Sequence, residues 1–137
     1  MKLRCTFLLL ALLTACAPMQ PIPEPPSADQ LLHDVPCPFH IADPWRRIEA
    51  RAFRGRVVTR HDREAYPGAM VALRKRGGKK IRKIYSDDAG RFHIPDLTEG
   101  TYEFVACAEG MDPDTGWLTI SHTAAEGEVE LLLRYGV

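Results

Sequence analysis

Asparagine is absent from all 137 residues of this chain, and the last alternating segment, Glu128 to Tyr135, contains no aspartate. A spontaneous isopeptide bond from a lysine to an Asn or Asp of the closing strand is therefore excluded. Long helical periodicity is also missing, as is any convincing internal repeat. Only one apolar run is present, near the start, and no second one follows that could span a bilayer. Ser86 and Ser121 stand in no nucleophile-elbow context, and no glycine-rich phosphate loop opens a helix. Excess charge of one sign is lacking, since 18 Lys and Arg face 18 Asp and Glu. Cysteine is scarce, at Cys5, Cys16, Cys37 and Cys107.

What is present begins with a basic start, Met1-Lys2-Leu3-Arg4, followed by the apolar run Phe7-Leu8-Leu9-Leu10-Ala11-Leu12 and then Leu13-Thr14-Ala15-Cys16. The run is too short to cross a membrane, and small residues precede the cysteine, as in an export signal. The combination resembles a bacterial lipoprotein signal with its lipobox; the alternative is an ordinary secretory signal with an incidental cysteine. The resemblance implies that Cys16 is acylated on its thiol, becomes the first residue after cleavage and is acylated on its amine as well. At about 0.8 kcal/mol per buried CH₂, several acyl chains would hold the protein on a membrane almost permanently. Ala17 is not the aspartate that commonly retains lipoproteins in the inner membrane. An outer-membrane anchor with the domain facing the periplasm is the expectation.

Cleavage removes Lys2, Arg4 and Cys5, leaving 16 basic and 18 acidic side chains in the mature chain. Their distribution is polarised. Residues 46–83 hold fourteen Lys or Arg against Glu49, Asp62 and Glu64, whereas residues 84–137 hold only Arg91 and Arg134 against eleven acids. With Cys16 lipidated, Cys37 and Cys107 remain as a pair in an oxidising compartment. A disulfide between them is the preferred reading; a buried free thiol at Cys107 and a metal pair are the alternatives, the latter lacking any further Cys or His at finger-like spacing. Closing so long a loop would contribute about 4 kcal/mol on the chain-entropy model.

Residues 17–26 carry five prolines and read as an extended spacer. Residues 27–34 suit a short helix with Ser27 and Gln30 spaced as a capping box, and 35–43 an irregular arm. The expected organisation is a signal over 1–15, a lipidated cysteine, tether and arm over 16–45, and one domain over 46–137. That domain shows short alternating segments between turn residues, the pattern of an all-β sandwich. Strands are expected near 47–59, 69–76, 80–86, 91–95, 101–108, 116–121 and 127–135. The first is the least distinct, because Asp43-Pro44-Trp45 also suits a helix start and Trp45, Ile48 and Ala52 a helical face. Tyr102, Phe104 and Ala106 alternate with Glu103, Val105 and Cys107, and Gly77-Gly78 suits a hairpin turn.

Four landmarks in register carry a second resemblance: Gly55-Arg56-Val57-Val58, the run Tyr66 to Leu73, the run Ser86 to Phe92, and Leu97-Thr98-Glu99-Gly100-Thr101-Tyr102. Over roughly residues 53–135 they resemble a carboxypeptidase regulatory-like domain. The resemblance implies a seven-stranded Greek-key sandwich of transthyretin-like type, without catalytic residues, used as a binding or structural unit. None of His33, His40, His61, His93 and His122 forms the His-x-x-Glu pair of a zinc carboxypeptidase. A purine-pathway hydrolase of transthyretin fold ends Tyr-Arg-Gly-Ser, whereas this chain ends Arg134-Tyr135-Gly136-Val137. The alternating carboxylates of Asp112-Pro113-Asp114-Thr115-Gly116 suggest a calcium loop but lack the further acidic ligands, so a solvated turn is expected there.

The most unusual stretch is Arg74-Lys75-Arg76-Gly77-Gly78-Lys79-Lys80-Ile81-Arg82-Lys83. Its seven cations, Arg74, Lys75, Arg76, Lys79, Lys80, Arg82 and Lys83, suit an anionic head group, cell-wall polymer or acidic protein. The competing reading is that edge-strand lysines only prevent sheet-to-sheet aggregation. Taken together, the residues point to a non-enzymatic, membrane-anchored interaction module with no cofactor or metal and no nucleic-acid partner. An immunity lipoprotein neutralising a periplasmic toxin is the alternative, and a small hydrolase the more remote one.

Overall fold

A computed structural model describes residues 30–37 and 45–136; Cys16, the signal and the proline-rich spacer lie outside the described residues. A single short helix, α1 (Gln30–Asp34), precedes nine strands: β1 (Arg46–Ala50), β2 (Phe53–Thr59), β3 (Met70–Lys75), β4 (Ile81–Tyr85), β5 (Arg91–Ile94), β6 (Gly100–Cys107), β7 (Met111–Asp112), β8 (Asp114–Ile120) and β9 (Val129–Tyr135). They form a five-stranded sheet, β1-β8-β6-β3-β4, and a four-stranded sheet, β5-β2-β9-β7. The expected β-sandwich is what the chain adopts.

The count of nine strands among the described residues corrects the expectation of seven. The segment expected as one strand over 47–59 breaks after Ala50 and continues from Phe53 in the other sheet. Alternation explains the break. Ile48 and Ala50 bury even-numbered positions against the core, while Phe53 and Val57 bury odd ones, so the chain must turn a corner between them. The Arg51 guanidinium donates to the Ala124 carbonyl and pairs with Glu126 at 3.0 Å, holding that corner. A second break falls at Pro113, which has no amide hydrogen for a ladder; the two-residue β7 pairs with β9 before it, and β8 starts after it in the opposite sheet.

On β6, Tyr102, Phe104 and Ala106 face the core between the sheets, joined there by Leu73, Leu118, Phe53, Phe92 and Leu131. Phe53 packs edge-on to Phe92 at 5.0 Å between centroids and tilted to Phe104 at 6.2 Å. Rings in such geometry add modestly to the roughly 1.5–3 kcal/mol that burying a large apolar side chain contributes.

Each half of the split segment makes a parallel pairing, β1 with β8 at the edge of one sheet and β2 with β9 inside the other. Both pairings bring backbone onto a glycine. A Cβ on Gly116 would sit 1.8 Å from the Arg46 carbonyl oxygen, and one on Gly55 would sit 1.7 Å from that of Val129. No other residue fits either place.

The opposite face of β6 and β3 is covered differently. Val105, Cys107, Met70 and Ala72 form a smaller cluster with Leu31, Leu32, Val35 and Cys37 of the helix and its continuation. Cys37 and Cys107 are joined by a disulfide, with Cα atoms 6.1 Å apart, as expected from the cysteine count. The buried Glu103 carboxylate accepts the Leu31 amide at 2.9 Å, satisfying a donor in the first turn of α1 that the helix cannot satisfy itself. Arg74 donates to Asp34 at 2.6 Å and lies 3.7 Å from Glu103, so one guanidinium ties the end of α1 to the sheet.

Candidate functional site

The basic stretch forms the β3–β4 hairpin. Gly77 adopts φ of 75°, and Gly78 donates its amide to the Lys75 carbonyl at 2.8 Å, closing a tight turn. Antiparallel pairing then runs from Arg74 opposite Ile81 to Met70 opposite Tyr85.

Proximity in sequence does not give the seven cations one fate. Arg74 is mostly buried in its pairing with Asp34 and Glu103. The Lys75 ammonium donates to the Thr98 hydroxyl at 3.1 Å, and Arg76 lies over the Trp117 ring at 5.6 Å. Arg82 donates to the Pro95 carbonyl at 2.8 Å. These four are engaged within the domain. Lys79, Lys80 and Lys83 are exposed and make no hydrogen bond or ion pair among the described residues.

Lys79 and Lys80 lead into, and Lys83 lies on, the outermost strand of the five-stranded sheet, since β4 pairs with β3 alone. Ile84 of β4 packs against the main core, whereas Ile81 packs toward the α1 side, so Ile81, Lys83 and Tyr85 share the outer face. Tyr85 is 62% exposed, unusual for so large a ring. Beside it lies an open groove of about 510 Å³, lined by Ile84 and Tyr85, by Arg54 of β2, and by Asp87, Arg91 and His93 of the β4–β5 turn and β5. Asp87 accepts the Ala89 amide at 3.0 Å and the Arg91 amide at 2.8 Å, fixing the turn, and Arg91 pairs with Glu128 at 3.2 Å. Sequence reasoning missed Arg54, Tyr85 and His93 as groove residues, because they come together only through pairing of β2 with β5 and the passage of the chain between sheets.

Other side chains with chemical potential are committed to structure. Asp112 and Asp114 do not form a solvated turn, as expected from their spacing, but are buried. Asp114 accepts Arg46 Nε at 3.0 Å and Nη2 at 2.7 Å, and the Leu132 amide at 2.9 Å; Asp112 pairs with Arg134 at 3.0 Å. Both carboxylates thereby link β9 to elements elsewhere in the sandwich. Ser86 accepts the Ala69 amide at 2.9 Å and donates to the Tyr66 carbonyl at 2.7 Å. The Glu99 carboxylate accepts the His122 amide at 2.8 Å. In an exposed turn, the Thr59 hydroxyl and then the Glu64 amide hold the Asp62 carboxyl below the ordinary carboxylate range. Among the described residues, no three or more His, Cys, Asp or Glu side chains gather as a metal site would require.

Sheet order, core and the exposed hairpin define a β-sandwich module in which most polar side chains serve architecture. Residues 52–131, more than half the chain, match the family model of the carboxypeptidase regulatory-like domain, and the chain belongs to that family. Among solved structures it is similar to 3-chlorocatechol 1,2-dioxygenase from Rhodococcus opacus 1CP, at 14% identity and a TM-score of 0.46, over 74% of this chain and 69% of that one. No curated protein matches the sequence.

Proposed function

We propose that this protein is a non-enzymatic, lipid-anchored module of the bacterial envelope that binds an anionic partner through Lys79, Lys80 and Lys83. The observation that carries this reading is the unequal use of the hairpin's charges: four cations are engaged within the domain, and three project from its edge without partners among the described residues. Exposed like charges repel one another and attract anions, so they stabilise a complex more than they stabilise the fold. The lipobox supports an anchor at Cys16 and an outer-membrane position with the domain in the periplasm. A protein partner or an anionic envelope surface both meet the requirement for negative charge.

The edge position of β4 favours one rival reading, in which the lysines only keep an open strand from pairing. Reversing Lys79, Lys80 and Lys83 to Glu separates the two. Binding to anionic envelope material, captured on the full-length anchored protein, should be lost, and wild-type binding should weaken steeply with salt because exposed charges are screened within about 8 Å at physiological ionic strength. Unchanged, salt-insensitive binding in the reversed variant would refute the binding role, since glutamate guards an edge as lysine does. For the anchor, Cys16→Ser should leave an uncleaved, unlipidated precursor; processing and fractionation like wild type would refute it.

A further inference from the structure

We infer that β4 is a docking edge to which an acidic, extended peptide segment of a partner protein adds as a sixth strand. The inference rests on the reading of Lys79, Lys80 and Lys83 as a binding element and says how binding occurs. Its basis is the ladder itself. Ser86 donates its amide to Ala69, which makes the Ala69–Ser86 pair hydrogen-bonded, and strict alternation then directs the backbone groups of Ile84 and Arg82 toward β3. The amides and carbonyls of Ile81, Lys83 and Tyr85 point the other way. No backbone group among the described residues meets them there.

A strand laid along that edge would find main-chain partners at every second residue and side-chain environments of two kinds. On the outer face it would lie beside Lys83, with Lys79 and Lys80 at one end and the exposed Tyr85 ring at the other. On the inner face it would lie beside Ile84 and the groove with Arg54 and His93. An alternation of acidic and β-branched residues matches both. Charge also selects the occupant. A second copy of β4 would bring its own lysines against these, a repulsion that works against self-pairing, whereas an acidic strand gains from the same charges. The lysines therefore bar one kind of strand and admit another.

The test uses the full-length protein in neutral detergent and two capped eight-residue peptides that alternate glutamate and valine, one unmodified and one N-methylated on every residue, which removes the amide donors of both strand edges. Both have the same charge, but the methylated peptide cannot complete a ladder. The unmodified peptide should bind and slow amide exchange at Ile81, Lys83 and Tyr85, and methylation should weaken binding roughly tenfold or more through loss of the main-chain bonds. Equal binding of both peptides without added protection would overturn strand addition while leaving charge-based binding intact. Failure of the unmodified peptide to bind would likewise overturn it, and the charge reversal described above decides separately whether the lysines bind anything. Binding of anionic vesicles that displaces the peptide without protecting these amides would assign the lysines to a membrane surface and overturn the proposal.

Discussion

The two faces of the five-stranded sheet are covered in contrasting ways. Its inner face meets a second sheet, and the contact is built from side chains such as Phe104, Leu73 and Leu118 packed against Phe53, Phe92 and Leu131. Its outer face, at β3 and β6, is covered by a five-residue helix and the three residues after it. A helix of that length is not stable alone and brings little apolar area. Specific bonds take the place of area: a disulfide at Cys107, an amide bonded to Glu103, and the Arg74 bridge to Asp34. Burial holds a large layer without aiming at any single residue, whereas a small cap has to be fastened at points.

Gly116→Ala and Phe104→Ala should cause the largest losses. The first drives a methyl group into the Arg46 carbonyl and the Phe104 ring, and the second empties the centre of the inner layer, at a cost of about 3–5 kcal/mol in chemical denaturation. Next comes the fastening of the cap. Replacing Cys37 and Cys107 with Ser should lower stability by roughly 2–4 kcal/mol, and hydrogen exchange in this variant should rise at Leu31–Asp34 well before it rises in β3 and β6. Simultaneous loss of protection in both would break the contrast between the faces. Glu103→Gln, which keeps an acceptor for Leu31 but gives up the charge facing Arg74, should cost about 1–3 kcal/mol. Reversal of Lys79, Lys80 and Lys83 should move the melting midpoint little, exposed substitutions each costing within about 0.5 kcal/mol.

The smallest effect concerns Asp62. Its carboxyl titrates below the ordinary range in the fold, so the associated stabilisation is present above the unfolded-state pKa and fades as pH falls through the folded one. An NMR titration should find its midpoint below that of a free Asp, and Thr59→Val should raise it. An unchanged midpoint in that variant would show that the hydroxyl is not the cause.

Strand identity was legible where alternation is strong. Tyr102, Phe104 and Ala106 against Glu103, Val105 and Cys107 fall on the two faces as their spacing requires, and Cys37 and Cys107, the pair singled out by the cysteine count, are joined as a disulfide. The corner after Ala50 was also written in the sequence, as a shift of apolar positions from even to odd numbers. It escaped notice because both halves favour extended chain. The Asp112-Pro113-Asp114 segment was misread for another reason. Its composition is that of a solvated turn, and the arginines that bury it come from 68 positions away at Arg46 and 22 at Arg134. The same limit applied to the hairpin, whose cations are sorted by Asp34, Thr98, Trp117 and Pro95, all remote in sequence from the turn.

The bond between Cys37 and Cys107 also sets how the molecule responds to being pulled. It bridges 70 positions of chain. Tension applied from the N-terminal side passes at Cys37 directly to Cys107, at the end of β6, and leaves the intervening β1 to β5 off the load path. At about 3.3–3.6 Å per residue, roughly 240 Å of chain is withheld from extension. A pull on the N-terminal side can strip the C-terminal strands but cannot draw the hairpin out as a free thread, so the exposed edge of β4 stays within a closed loop anchored at Cys37 and Cys107.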